Sequence, residues 1–203
     1  MKAKNPKAIL LAAGLSKRMG EENKLLLPYR GKTILETTIQ NLLESEIGEL
    51  IVVIGHDLDK VGQVLASYDV TVVINDNYES GQVSSVKKGL LSIQDIEKTP
   101  FMIALADMPL ITKTGYNLLI TRFLHLNSEE KVILRPRSKS GQPGNPVLFD
   151  SSFKEALLNN EAREKTKHIL NNQKASLKYL DTDIPSFFKD VDTKADYRKS
   201  FSY

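Results

Sequence analysis

An apolar run, Ile9-Leu10-Leu11-Ala12-Ala13, leads directly into Gly14-Leu15-Ser16-Lys17-Arg18-Met19-Gly20, and Lys24 follows closely. Two glycines, a hydroxyl and three cations at the end of a strand-like run suit the binding of a polyanion. Glycine tolerates positive φ and lets backbone N–H groups approach a ligand, while Lys17, Arg18 and Lys24 supply charge and directional donors for phosphate oxygens. For Lys17 alone, a solvated turn is the simpler reading. The two common nucleotide fingerprints are absent. Five residues separate Gly14 from Gly20, no Lys-Ser or Lys-Thr follows Gly20, and there is no G-x-G-x-x-G.

The opening stretch resembles the nucleotidyltransferases that attach a nucleotide to molybdopterin, in particular the molybdenum cofactor cytidylyltransferases. That family begins Leu-Ala-Ala-Gly-x-Ser-x-Arg-Met-Gly and continues Lys-Leu-Leu-Leu-Pro. This chain carries the first pattern from Leu11 to Gly20 and the second from Lys24 to Pro28. Ala13 favours the cytidylyl branch, because the guanylyl branch usually has Leu-Ala-Gly-Gly. Further segments match in the family's order: Gly81-Gln82-Val83-Ser84-Ser85-Val86, Ala106-Asp107-Met108-Pro109, Gly141-Gln142-Pro143-Gly144-Asn145-Pro146-Val147-Leu148-Phe149 and Asp190-Val191-Asp192-Thr193. The resemblance covers nearly the whole chain, with two departures. Gly20-Glu21-Glu22-Asn23-Lys24 is one residue longer than the common family loop, and Asn145 stands where many members have the His of Gly-His-Pro-Val.

The resemblance implies roles residue by residue. Arg18 meets the triphosphate, Lys24 bridges phosphates near the α-phosphoryl group, and Asp107 and Asp192 hold magnesium, with Asp190 a close competitor of Asp192. Magnesium suits the reaction, since an anionic phosphate attacks an anionic triphosphate and charge must be neutralised while the reacting groups stay in line. Leu11, Ala12, Ala13, Gly14 and Ser16 follow the nucleotide together with Arg18 and Lys24. Gly81, Ser84 and Ser85 border the nucleobase, and Gly144, Asn145 and Pro146 face the acceptor. Taken without the resemblance, these residues have plainer uses. An Asp before Met-Pro at a strand end forms turns, Asp192 before Thr193 can cap a final helix, and serines at a helix start are common caps. His56, His125 and His168 show no metal-ligand spacing, and Asn145 cannot titrate, so no histidine-based acid or base is assigned.

The elements that must position these residues are legible as alternating periods. Short apolar, β-branched runs at 8–12, 50–54, 70–74, 101–106, 132–134 and 146–149 are continuous enough for a sheet covered on both faces. Between them lie helical patterns. Ile34, Leu35, Ile39, Leu42 and Leu43 share one face, as do Leu58, Val61, Val64 and Leu65, and Val83, Val86, Leu90 and Leu91 repeat the pattern. The alternation predicts an α/β fold: a three-layer, doubly wound, mostly parallel sheet, Rossmann-like and, by the resemblance, of the nucleotide-diphospho-sugar transferase type. Ligands of such sheets collect beyond the C-terminal strand ends, so Gly14 and Asp107 are expected at one crevice. The stretch 136–146, with Gly141, Pro143 and Gly144, reads as a mobile loop.

Bulk properties are compatible with this and narrow the alternatives. The 203 residues suit one domain, 1–203, and 41% hydrophobic with 26% charged residues is ordinary for a globular chain. A net charge of +3 is too small and dispersed to argue for nucleic acid or a membrane surface. The chain has no cysteine, which excludes a disulfide framework and a thiolate metal site. No signal-like or membrane-length apolar run is present, and a cytoplasmic location is expected. The expected function is magnesium-dependent transfer of CMP from CTP to the terminal phosphate of molybdopterin, releasing pyrophosphate. A molybdenum hydroxylase, or its maturation chaperone, is the expected recipient of the product. Two alternatives stay open: nucleotide transfer to a sugar or alcohol phosphate, and a non-catalytic maturation factor that binds the pterin cofactor.

Overall fold

The computed structural model of the chain describes residues 4–16, 22–95, 99–127, 130–159 and 173–200. Its centre is formed by the most apolar segments. Strands β1 (Lys7–Leu11), β4 (Leu50–Ile54), β5 (Thr71–Ile74) and β6 (Phe101–Leu105) lie parallel in the order β5-β4-β1-β6. Beyond β6 the sheet continues as β8 (Val147–Phe149), β7 (Ile133–Arg137) and β9 (Leu177–Asp181), seven strands in all. Only β8 runs against its neighbours. The sheet is therefore mostly parallel and doubly wound, as the alternation of periods predicts.

Side chains of a strand alternate between faces, and here that alternation divides the core in two. Ala8, Leu10, Leu50, Val52 and Ile54 face a cluster completed by α1 (Ile34–Leu43), α2 (Leu58–Leu65) and α4 (Lys113–Asn127). Ile9, Ile51, Val53, Phe101 and Ile103 face a second cluster, with α3 (Gln82–Ser92) and α5 (Lys154–Leu158). Three layers result.

Some expectations shift in detail. Leu91 is 69% exposed and Leu58 37% exposed, so neither belongs to the buried face of its helix. In α3 the sheet-facing position is Gly89, where a Cβ would stand 2.4 Å from Ile9 Cγ2. The helix approaches the sheet too closely for any side chain there, and Leu91 is turned outward. The stretch 136–146, expected to be a loop throughout, also carries regular structure at its start. Pro136 and Arg137 finish β7, Gly141 donates to the Ser138 carbonyl at 2.9 Å, and Pro143 bridges back to Arg137.

Two small devices brace the region that follows the first loop. β2 (Pro28–Tyr29) and β3 (Lys32–Thr33) form a hairpin whose central residues, Arg30 and Gly31, both have positive φ, as a two-residue primed turn requires. The final helix, α6 (Lys194–Ser200), is capped reciprocally by Thr193 and Asp196. It is tied to β2 by the Tyr29 hydroxyl donating to the Ser200 carbonyl at 3.2 Å and the Tyr197 hydroxyl donating to the Pro28 carbonyl at 2.5 Å. The chain's end thus packs beside the segment that carries Lys24.

Candidate active site

The chain passes from β1 to one side of the sheet, through β4 and β5, and returns on the other side as β6. Between β1 and β6 lies the topological switch point, where doubly wound sheets open a crevice. A cavity of about 640 Å³ occupies it, and Gly14 and Asp107 both line its wall. No helix among the described residues is long and apolar enough to cross a membrane.

The acidic part of the cavity is assembled from three distant segments. Asp107 follows β6. Its neighbour Ala106 is held by a hydrogen bond to the Leu11 carbonyl at 3.3 Å and by the buried Thr38 hydroxyl, which donates to the Ala106 carbonyl at 3.1 Å. Asp190 and Asp192 flank Val191, which is buried and donates its backbone N–H to the Asp107 carbonyl at 2.9 Å. Lys24 opens a 3₁₀ turn capped by Asn23, whose side chain accepts from the Leu25 N–H. The Lys24 ammonium reaches Asp107 Oδ2 at 2.5 Å and Asp192 Oδ1 at 2.6 Å. Asp192 therefore faces the cavity, and the cap of α6 is Thr193.

The electrostatics of this group are unbalanced. Asp107, Asp190 and Asp192 each offer a carboxylate oxygen within 4.8 Å of the others. Among the described residues, Lys24 bonds two of the three carboxylates, so acidic groups outnumber the ammonium at this point. Asp107 Oδ1 is buried and has no hydrogen-bond partner among the described residues. Burial pushes the Asp107 carboxyl above its ordinary range, against the pull of Lys24. Burial alone would lower the Lys24 ammonium, but Asp107 and Asp192 hold it above its ordinary value. A hard divalent cation fits such a donor set: oxygen ligands only, surplus negative charge and one orphaned carboxylate oxygen.

The other expected contacts are distributed unevenly. Leu11, Ala13, Gly14, Ser16, Gly81 and Ser85 line the cavity. Ala12 is buried and does not line the cavity, and Ser84 donates its hydroxyl back to the Gly81 carbonyl at 2.7 Å, also without lining the cavity. Gly14 does not use positive φ. That conformation belongs to Gly31, Gly81 and Gly141 among the described glycines, and a Cβ on Gly14 would meet no protein atom within 4 Å. Its missing side chain leaves cavity space open. Among the described residues of this loop Ser16 takes positive φ, at 49°, and its hydroxyl accepts the Lys24 N–H at 3.3 Å. Arg18 lies outside the described residues, as do Lys17 and His168.

Gly144, Asn145 and Pro146 do not line the cavity. They are packed against the segment leading to Asp190: Asn145 donates its N–H to the Phe187 carbonyl at 2.9 Å, and a Cβ on Gly144 would stand 2.5 Å from that same oxygen. Sequence reasoning missed Asn75, which follows β5 and donates to Ser84 Oγ at 2.9 Å and Ser85 Oγ at 3.0 Å. It also missed Tyr78, which lines the cavity; a Cβ on Gly55 would stand 2.7 Å from Tyr78 Cβ.

Comparison with known proteins places the chain in a family. Nicotine blue oxidoreductase of Paenarthrobacter nicotinovorans is 27% identical over 191 residues, covering 91% of this chain and 91% of that one. Molybdenum cofactor cytidylyltransferase of Escherichia coli K12 is 29% identical over 141 residues, covering 69% of this chain and 67% of that one. The crystal structure of Rv0371c from Mycobacterium tuberculosis H37Rv matches with a TM-score of 0.84 at 24% identity, over 100% of both chains, and that protein has also been solved as a manganese complex. The model of the MobA-like NTP transferase domain matches residues 8–177, and the chain belongs to that family.

Proposed function

We propose that residues 1–203 act as one cytoplasmic nucleotidyltransferase domain that transfers CMP from CTP to the terminal phosphate of molybdopterin. The observation that carries the reading is the group formed by Lys24, Asp107, Asp190 and Asp192 at the switch-point cavity. In this reaction a phosphate oxygen of the acceptor attacks the α-phosphorus of CTP. The bond to the β-phosphate breaks and pyrophosphate leaves. The nucleophile is already an anion, so no protein base is needed. The residues have to neutralise charge and hold three anionic groups together.

Asp107 with Asp192, and Asp190 beside them, would hold the metal; the relative solved with manganese supports a divalent cation, and magnesium is the proposed one. A bound divalent cation supplies charge neutralisation on phosphate oxygens. Lys24 adds an ammonium at the same point, and Arg18 is assigned to the triphosphate by the family pattern. The β1 loop, with Ala13, Gly14 and Ser16, gives the nucleotide a wall with open space, and Gly81 and Ser85 border its base. Gly144, Asn145 and Pro146 are assigned to the acceptor. The support is positional: they lead into β8, where Val147 pairs with Ile103, two residues before the cavity-lining Leu105. A molybdenum hydroxylase or its maturation chaperone would receive the product.

The test is pyrophosphate release from CTP, GTP, ATP and UTP with magnesium and molybdopterin. Preference for CTP, with formation of the cytosine dinucleotide, is expected. Preference for GTP would overturn the cytidylyl assignment, and no release with any nucleotide would favour a cofactor carrier. The similarity to nicotine blue oxidoreductase along 91% of both chains favours a second reading, a redox reaction in the same cavity. Reduction of nicotine blue by a nicotinamide reductant, in the absence of pyrophosphate release, would select it.

A further inference from the structure

Asn75 is fully buried, and its amide orientation is fixed by chemistry. Oδ1 faces the backbone N–H of Asn77 at 3.1 Å. A backbone N–H can only donate, so the atom it meets must be the carbonyl oxygen. The NH₂ group then faces the two serines and spends one hydrogen on each, at 2.9 Å to Ser84 and 3.0 Å to Ser85. Both serine oxygens are acceptors towards Asn75. Each hydroxyl hydrogen must go elsewhere.

For Ser84 the destination is the backbone, with the Gly81 carbonyl at 2.7 Å and the Asn77 carbonyl at 2.9 Å. Ser85 has no such outlet among the described residues, and it lines the cavity. We infer that Asn75 is a specificity-determining positioning residue: by occupying the acceptor side of Ser85, it makes that hydroxyl present a donor to the nucleobase. The inference rests on the nucleotide reading of the cavity given above. A fixed donor selects a base edge that offers an acceptor. Cytosine offers adjacent acceptors at O2 and N3, whereas uracil has a donor at N3. A site built to satisfy one polar pattern rejects the other, because mismatch leaves buried polar groups unpaired. The amide itself touches no ligand and acts through Ser85.

The experiment measures dissociation constants of CTP, UTP, GTP and ATP for the full chain without pterin. It uses Ser85→Ala, Ser85→Thr, Asn75→Ala, the Ser85→Ala/Asn75→Ala double variant and Asn75→Asp. Ser85→Ala and Asn75→Ala should each weaken the favoured nucleotide about tenfold, and the double variant should be no weaker than Ser85→Ala, because both remove one donor. Ser85→Thr should keep the preference. In Asn75→Asp the carboxylate accepts the serine hydrogens, so Ser85 turns a lone pair to the cavity and the ratio of CTP to UTP affinity should fall or invert. A purely structural Asn75 would lower stability without changing that ratio. Additive losses in the double variant, or unchanged affinities in Ser85→Ala, overturn the inference. If Asn75→Ala fails to fold, the near-isosteric Asn75→Asp carries the test alone: an unchanged ratio of CTP to UTP affinity overturns the inference. Preference for GTP in the parent protein would overturn the CTP assignment alone, since the coupling between Asn75 and Ser85 can be read in whichever nucleotide binds.

Discussion

In the acidic group, Lys24, Asp107 and Asp192 come from three segments spread along the chain; in the serine group, Asn75, Ser84 and Ser85 come from one stretch of eleven residues. The two differ equally in their bonding. The Asn75 amide is saturated, with both hydrogens and its oxygen engaged. Asp107 keeps a buried oxygen with no hydrogen-bond partner among the described residues, and one ammonium serves two carboxylates. A saturated network is rigid and suits recognition. An unsaturated, charged one has interactions left to give to an incoming cation and to moving phosphate charge. Damage to the acidic group should therefore appear in turnover, and damage to the serine group in nucleotide affinity.

The sharpest way to break this contrast is Asp107→Asn, which preserves shape and removes the charge. Turnover should fall by about two orders of magnitude or more, the scale seen when preorganised electrostatic stabilisation is lost. The melting temperature should change little, because relief of the buried carboxyl's desolvation is offset by the loss of one of the two partners of the Lys24 ammonium. Pyrophosphate release at saturating magnesium, alongside a melt, checks both. Near-normal turnover would move the metal acid elsewhere. The pH profile of the parent adds a sign. Activity needs Asp107 ionised, and its carboxyl titrates above the ordinary range. The magnesium concentration needed for half-maximal activity should accordingly begin to rise, as pH falls, at a higher pH than an exposed aspartate ligand would give, because protons compete with the metal for Asp107.

Lys24→Ala comes next. Its ammonium is held above its ordinary value by Asp107 and Asp192, so it stays charged across the working range. If it serves the charge that shifts across the α-phosphoryl group, kcat should drop by roughly ten- to a hundredfold while KM for CTP changes less. A loss confined to KM would place Lys24 with the recognition residues and erase the difference between the two groups.

The same contrast explains what could be read from the chain. The central strands were legible because β1, β4 and β6 are apolar on both faces, and Asp107 was legible because it ends one of them beside a recognisable motif. β9 was not. Leu177–Asp181 is an edge strand, half-buried, with Lys178 and Tyr179 interrupting any apolar run. Asn75 was also hidden, since its type signals a turn and only the placement of α3 over β5 shows that its amide is buried. Gly89 is the clearest case: periodicity favours Leu91, whereas packing selects the residue with no side chain. Gly89→Ala should destabilise by about 1–3 kcal/mol through overpacking against Ile9. Improved helix propensity recovers at most about 1 kcal/mol of that. A lowered melting temperature with unchanged turnover per folded molecule is expected, and a rise would mean that the helix moves off the sheet at little cost.

The smallest expected effect lies at the edge formed by residues 144–146, outside the cavity lining, where a third behaviour can be separated from the other two. Asn145 is half-buried, and its backbone is held from several directions. Its N–H donates to Phe187, the Gly144 N–H donates to the Pro136 carbonyl at 2.8 Å, and the Arg135 guanidinium donates to the Gly144 carbonyl at 2.8 Å. With the backbone pinned, a side chain at 145 leaves from a fixed point whatever its identity. Asn145→Ala should weaken molybdopterin use by about threefold to tenfold, the worth of one hydrogen bond, with CTP affinity nearly unchanged. Asn145→His should be tolerated, because imidazole restores a donor from the same Cα. Separate titrations with CTP and with molybdopterin decide the assignment. An acceptor defect alone would give the site three distinguishable parts, for turnover, base and acceptor. A CTP defect without an acceptor defect would instead join this edge to the nucleotide side, where the Phe187 backbone links it to the segment carrying Asp190 and Asp192.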